Sequence, residues 1–179
     1  MTINWHQIKT FNGSQNNAFE ELVCQVARAE QIANKKSFIR VAAPDGGVEA
    51  YCTLENGDEI GWQAKYFHSM AETQWNQIEK SLKTALSKHP RLKQYYVCIP
   101  LDRQDPRTAK QKWFMDRWNE YVARWKQIAA DKGISNLEIE YWGGFELTDR
   151  LSQEKHAGRR YFWFSTDEFS DSWMTTRAT

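Results

Sequence analysis

Four polar residues, Asp45, Glu49, Gln63 and Lys65, interrupt a stretch of this chain that otherwise alternates between β-branched or aromatic and polar positions. The stretch, residues 45–67, reads as two strands joined at Asn56-Gly57-Asp58, because a turn-forming cluster separates two alternating runs. Side chains on a strand return to the same face every second residue, so Gln63 and Lys65 share a face. A three-residue hairpin loop, or a single bulge, would bring Glu49 to that face as well, whereas a strict two-residue loop would set it on the other. A carboxylate, an amide oxygen and an ammonium would then converge. Such a set suits phosphodiester hydrolysis. Oxygen ligands and a phosphate can hold a hard cation such as Mg²⁺, which lowers the pKa of bound water while a lysine orients that water or stabilises developing charge. The 45–59 segment holds Asp45, Glu49, Glu55, Asp58 and Glu59 and no Lys or Arg. That acidity would attract a cation, and it is equally what a solvated hairpin tip carries.

The elements that must position these residues follow from periodicity. Phe19, Leu22, Val23 and Val26 recur at helical spacing after the polar Asn12–Asn17 stretch, with Glu20 at the margin of the apolar stripe. Ser37–Ala43 reads as a strand that stops at Pro44, and the hairpin follows. Ser69 and Glu72 have capping-box spacing before a second helix whose stripe is Trp75, Ile78, Leu82, Ala85 and Leu86, ended by Pro90. Tyr95–Ile99 is apolar throughout and reads as an interior strand. Asp105-Pro106 is a good start for a third helix, where Phe114, Trp118, Tyr121, Trp125 and Ile128 form a stripe that reads as a packing face. A strand at 136–142 with Leu137, Ile139 and Tyr141 on one face, then a short helix over 145–151, complete the pattern. The fold class is therefore α/β, with a mixed sheet flanked by helices.

Phe19-Glu20-x-Leu-Val, Asp45-Gly-Gly-Val-Glu49 and Gln63-Ala-Lys65 together resemble the PD-(D/E)xK nuclease superfamily, in its Mrr-like branch with a Gln-x-Lys motif. The resemblance spans about residues 15 to 100, and the order read above is that superfamily's restriction-endonuclease-like αβββαβ core, here with a C-terminal α-β-α extension over about 105–165. It implies Lys65, Glu49, Gln63 and Glu20 as catalytic residues, with Glu49 and Gln63 as ligands to Mg²⁺, or Mn²⁺ in its place. Asp45 stands as the alternative ligand. Glu49 stands where Asp is commoner in that branch, and Gln63 where the wider superfamily has an acid. Trp75-Asn-Gln-Ile, His89-Pro90 and Trp142-Gly-Gly-Phe-Glu-Leu are similar to the N-terminal nuclease domains of bacterial antiphage STAND NTPases. This implies an endonuclease acting on double-stranded DNA, the single nuclease domain (1–179) of a longer protein that assembles as a homo-oligomer through its remaining chain. The alternatives are a non-catalytic DNA- or protein-binding module on the same fold, and an RNase.

Composition narrows the remaining classes. Cys24, Cys52 and Cys98 fall singly, against both a disulfide framework and a zinc site, and read as small buried hydrophobes. The four histidines, His6, His68, His89 and His156, lack metal-ligand spacing. No apolar run approaches the ~20 residues of a membrane span, and the start of the chain does not read as a signal peptide, so a cytoplasmic location is expected. A formal charge of +1 rules out a general polyanion binder and confines any DNA contact to local basic patches. The candidates are Lys80, Lys83, Lys88, Arg91 and Lys93 around the second helix, and Arg103, Arg107, Lys110 and Lys112 at the start of the third. The aromatic C-terminal segment, Tyr161-Phe-Trp-Phe164, Phe169 and Trp173, suggests a contact beyond this domain.

Overall fold

The computed structural model describes residues 2–42, 47–103 and 113–164. Asp45 as alternative ligand, the Asp105-Pro106 helix start, the basic residues Arg107, Lys110 and Lys112, and the aromatics Phe169 and Trp173 lie outside them. A 3₁₀ turn at Trp5–Gln7 leads to α1 (Gln15–Arg28). Three strands follow, β1 (Lys35–Arg40), β2 (Ala50–Leu54) and β3 (Glu59–Ala64). Then come α2 (Glu72–Lys88), β4 (Leu92–Cys98), α3 (Phe114–Asp131), β5 (Glu138–Trp142), α4 (Gly144–Leu151) and α5 (Ala157–Phe164). The five strands form one sheet in sequence order. The first three pair antiparallel, and β3–β4 and β4–β5 pair parallel through the α2 and α3 crossovers. This is the α/β class with a mixed sheet and the αβββαβ order expected from the periodicity.

Two apolar layers sandwich the sheet. Phe19, Leu22, Val23 and Val26 of α1 pack with Leu147 and Leu151 of α4 and Trp163 of α5 against Cys52, Ile60, Trp62, Ala64 and Cys98 on one face. On the other face, α2 and α3 bury Trp75, Ile78, Leu82, Trp118 and Trp125 against Tyr95, Val97, Ile99, Ile139 and Tyr141. The aromatic stripe of α3 is thus core, as its spacing predicts. Burial there is closed by Glu79 of α2, which accepts hydrogen bonds from Arg124 Nε and Nη2 and from Trp125 Nε1 at 2.6, 3.0 and 3.1 Å.

Three local expectations are corrected. The capping box at Ser69 does not form: α2 begins after Ala71, whose N–H is taken by the Gln74 side-chain oxygen at 2.9 Å. Trp163 and Phe164 do not wait for a partner. Trp163 is buried, donates from Nε1 to Gln25 Oε1 at 3.1 Å, and Phe164 stacks edge-on with Trp5. Of the described aromatics in this segment, Phe162 is the exposed one. The third is in the faces before β2, where a bulge at Glu49 shifts the alternation by one residue. Among the described residues no helix is long and apolar enough to cross a membrane.

Candidate functional site

The hairpin between β2 and β3 has the three-residue loop. Thr53 pairs with Glu59, Leu54 N–H donates to Asp58 O, and Glu55, Asn56 and Gly57 turn the chain, with Gly57 at φ 92° where a side chain would be strained. By itself this loop would put Glu49 on the face of Gln63 and Lys65. A second irregularity reverses it. Ala50 is the register partner of Trp62, yet Glu49 N–H, just before β2, also donates to Trp62 O at 2.8 Å, so Glu49 and Ala50 together stand opposite one residue of β3. That is a β-bulge, and it shifts the alternation by one position. Its effect is visible in the packing: Val48 and Tyr51, an odd step apart, both pack on the α2 face, while Cys52 and Leu54 pack on the α1 face. Loop and bulge cancel in parity, and the expected shared face of Glu49 and Gln63 does not form.

Glu49 instead turns toward α1. Its side chain is 3% exposed, and its Oε2 accepts the backbone N–H of Ala64 at 2.5 Å. A carboxylate thus replaces the strand carbonyl that would ordinarily take this N–H, and it ties β2 to the middle residue of the Gln63-Ala64-Lys65 motif. Burial pushes the Cys24 thiol of α1 up to about 12, with the charges of Glu49, Glu21 and Glu20 adding to the rise and Arg40 opposing it. Burial and then Glu49 likewise raise Cys98. Glu20, half-buried at the stripe margin as expected, and Glu49 are therefore both felt at one thiol on the α1 face. Arg40 anchors the bulge from β1: its Nη1 donates to the carbonyls of Val41 and Glu49 at 2.5 and 2.8 Å, and its Nε to Glu21 Oε2 at 3.3 Å.

Gln63 faces the α2 layer and is fully buried. The Tyr95 hydroxyl donates to Gly47 O at 2.6 Å, so it must accept from Gln63 Nε2, which also donates to Ile78 O at 3.3 Å. Two acceptors on that side fix the amide's orientation, and the Gln63 Oε1 left on the other side has no hydrogen-bond partner among the described residues. Gly47, at φ 84°, explains the glycine of this loop by packing: a Cβ there would lie 2.0 Å from Ser81 O of α2. Lys65 follows the last residue of β3, its N–H donating to Cys98 O at 2.9 Å. By alternation from β3 it falls on the side of Gln63 and of Phe67, away from Glu49. It is half-buried, and among the described residues its ammonium has no hydrogen bond or ion pair.

Among the described residues no group of three or more His, Cys, Asp and Glu could hold a metal ion. Mg²⁺ needs only one or two carboxylates when water and phosphate complete its shell, so the donor chemistry of Glu49 with Glu20 suits it. Gln63 does not join them in this arrangement, because Tyr95 and Ile78 hold its Nε2 in the α2 layer while Glu49 faces α1.

The sequence reading missed a second feature on the α1 face. A cleft of about 500 Å³ opens between α1, β1 and α5, lined by Arg28, Arg40, Lys155 and Arg159 around Cys24 and Phe38. The signal for this wall was present in Lys155-x-x-x-Arg159-Arg160, a basic run that starts in the 3₁₀ turn Glu154–His156 and continues into α5. Its other wall comes from residues more than a hundred positions earlier, which no local pattern joins to it. No known family model matches the chain, and no curated protein matches it either. What fold and site define together is the class: an α/β domain with a five-stranded mixed sheet flanked by helices.

Proposed function

We propose that the chain is a metal-dependent endonuclease that hydrolyses DNA, of the PD-(D/E)xK type in its Mrr-like branch, and that it serves as the nuclease effector of a prokaryotic antiphage STAND NTPase switched on by self-assembly. The observation that carries this reading is the bond from Glu49 to Ala64 N–H. It joins the second motif to the middle of the third within an αβββαβ core. Glu49 and Glu20 would hold Mg²⁺, which when bound supplies charge for the phosphate and a more acidic water. Lys65 lies just past the end of β3, on the Gln63 side rather than the Glu49 side, and its ammonium, neutralised by no neighbour among the described residues, would have to reach round the strand end to steady an attacking water or a developing negative charge. Arg40, bonded to the Glu49 carbonyl, fixes the bulge that aims the carboxylate.

A second reading, a binding module that keeps the fold without catalysis, is favoured by Gln63, whose amide is committed to the core rather than to Glu49. One experiment separates the two. Supercoiled plasmid and structured RNA are incubated with the protein in Mg²⁺ and in EDTA. Nicking in Mg²⁺ that Lys65→Ala abolishes supports the nuclease; RNA cut in preference to plasmid makes it an RNase; no cleavage of either, at any protein concentration that binds them, leaves the binding module.

A further inference from the structure

We infer that the cleft between α1, β1 and α5 is a binding site for a phosphate ester, a nucleotide or the backbone of a nucleic-acid strand. The chain as a whole has a formal charge of only +1, yet four cations, Arg28, Arg40, Lys155 and Arg159, line this one concavity with a single carboxylate, Glu21. Glu21 is matched to Arg40 at 3.3 Å. The other three have no carboxylate partner among the described residues. Lys155 Nζ donates to Ala29 O at 2.8 Å, Arg159 Nη1 to Lys155 O and His156 Nδ1 at 3.3 Å each, and Arg28 lies over the Phe38 ring at 5.3 Å. Carbonyls and rings orient these groups without neutralising them. Three uncompensated positive charges in a concave site make a positive potential that a dianionic phosphate would relieve, and guanidinium groups match phosphate oxygens in pairs.

His156 registers the same potential. It is fully buried beside the cleft, and after burial itself the charges of Arg159 and Lys155 do most to hold it below its ordinary pKa. Volume and chemistry also agree, since about 500 Å³ suits a ligand of nucleotide size. The flat Phe38 ring lies among the lining groups, beneath Arg28. Through Arg40 the cleft adjoins the Glu49 bulge, so a strand seated there would run toward the candidate site. That last link rests on the nuclease reading, whereas phosphate binding stands on the cleft alone.

The test is fluorescence anisotropy with the whole chain in EDTA, which removes cleavage from the measurement. A labelled single-stranded oligonucleotide and a labelled duplex of the same sequence are titrated over a salt series, and a labelled ATP analogue in parallel. Arg28→Gln with Arg159→Gln is compared with wild type and with Lys126→Gln/Lys132→Gln at the exposed C-terminal end of α3, after thermal melts show that all three are folded. Loss of two phosphate contacts should weaken strand binding by about tenfold and lower the log–log salt slope by ~1.4 for single strands or ~1.8 for duplex, with the α3 variant unchanged. Binding of strands alone identifies a polynucleotide site; binding of the ATP analogue, lost in the same variant, identifies a nucleotide site. Unchanged affinity and slope in the cleft variant, an equal loss in the α3 variant, or no binding of any probe overturns the proposal. If cleft-dependent binding survives while Mg²⁺ elicits no cleavage, the nuclease reading fails and this one stands.

Discussion

Glu49 Oε2 lies 2.5 Å from the amide nitrogen of Ala64, and this contact gives one side chain two duties. It satisfies a buried backbone donor where the β2–β3 ladder is broken by the bulge, and it holds a carboxylate beside the Gln63-Ala64-Lys65 segment. An unsatisfied buried N–H costs ~1–3 kcal/mol, so the position is structural whether or not it is catalytic.

Glu49→Ala is therefore expected to do what a purely catalytic replacement would not, and lower stability by ~1–3 kcal/mol as well as abolish cleavage. Glu49→Gln keeps an oxygen that can accept the Ala64 N–H and should recover most of that stability. If Glu49 holds the metal, it should not recover cleavage. Urea melts and plasmid nicking on the two variants check this, and nicking by Glu49→Gln at the wild-type rate would remove Glu49 from the chemistry.

Lys65→Ala should show the opposite split. The side chain is half-buried and, among the described residues, has no ion pair to lose, so the melting temperature should hardly move. Removing a group that stabilises developing charge costs ~3–4 kcal/mol of barrier, a hundredfold to thousandfold in rate. Single-turnover nicking assays measure it, and a Lys65→Ala enzyme within twofold of wild type would end the nuclease assignment.

Gln63→Glu distinguishes the described placement of Gln63 from a ligand role. In the α2 layer the change removes the Nε2 donor and sets a carboxyl against Tyr95 and Ile78, which should destabilise the fold by ~1–3 kcal/mol and leave Mg²⁺ affinity as it was. A side chain in direct contact with the ion would behave otherwise, because a carboxylate binds Mg²⁺ more tightly than an amide. A gain of tenfold or more by calorimetry would show that Gln63 turns to the ion in the working state.

The contrast between Gln63 and Val97 shows what was legible in the sequence. Val97 lies in an unbroken apolar run, and such periodicity sufficed for the strands and helices of the αβββαβ core and for the packing role of the Trp118–Trp125 stripe, but not for α5, whose polar first turns read as a polar segment although its Trp163 is core. The α1 stripe even put Glu20 at its margin correctly. Which face Glu49 takes hangs on one extra residue at the bulge, and a one-residue slip leaves composition and local pattern nearly untouched while exchanging the faces. Equally illegible were contacts that depend on tertiary docking: Glu79, which could pass for a surface acid on α2, is the acceptor for both Arg124 and Trp125. The basic cleft was hidden for the same reason, its walls being residues 28–40 and 155–159.

His156 makes stability sensitive to mild acid. Its Nδ1 accepts from Arg159, which leaves the proton of the neutral ring on Nε2, and that atom is buried with no partner among the described residues. Burial first, then Arg159, Lys155 and Arg160, with Glu30 opposing, hold its pKa below the ordinary 6.5. A base whose folded pKa is depressed takes up its proton more readily when unfolded. Its contribution is thus fully present above about pH 6.5 and is lost as pH falls toward the lowered folded value. His68, lowered by burial and by the charge of His6, acts in the same window. Urea midpoints should therefore fall between pH 7 and pH 5. His156→Asn, which retains an acceptor for Arg159 but cannot titrate, should flatten part of that fall, and adding His68→Asn should flatten more. A wild-type midpoint that stays level over this range, or a His156→Asn profile parallel to wild type, would show that the buried ring takes its proton as readily folded as unfolded.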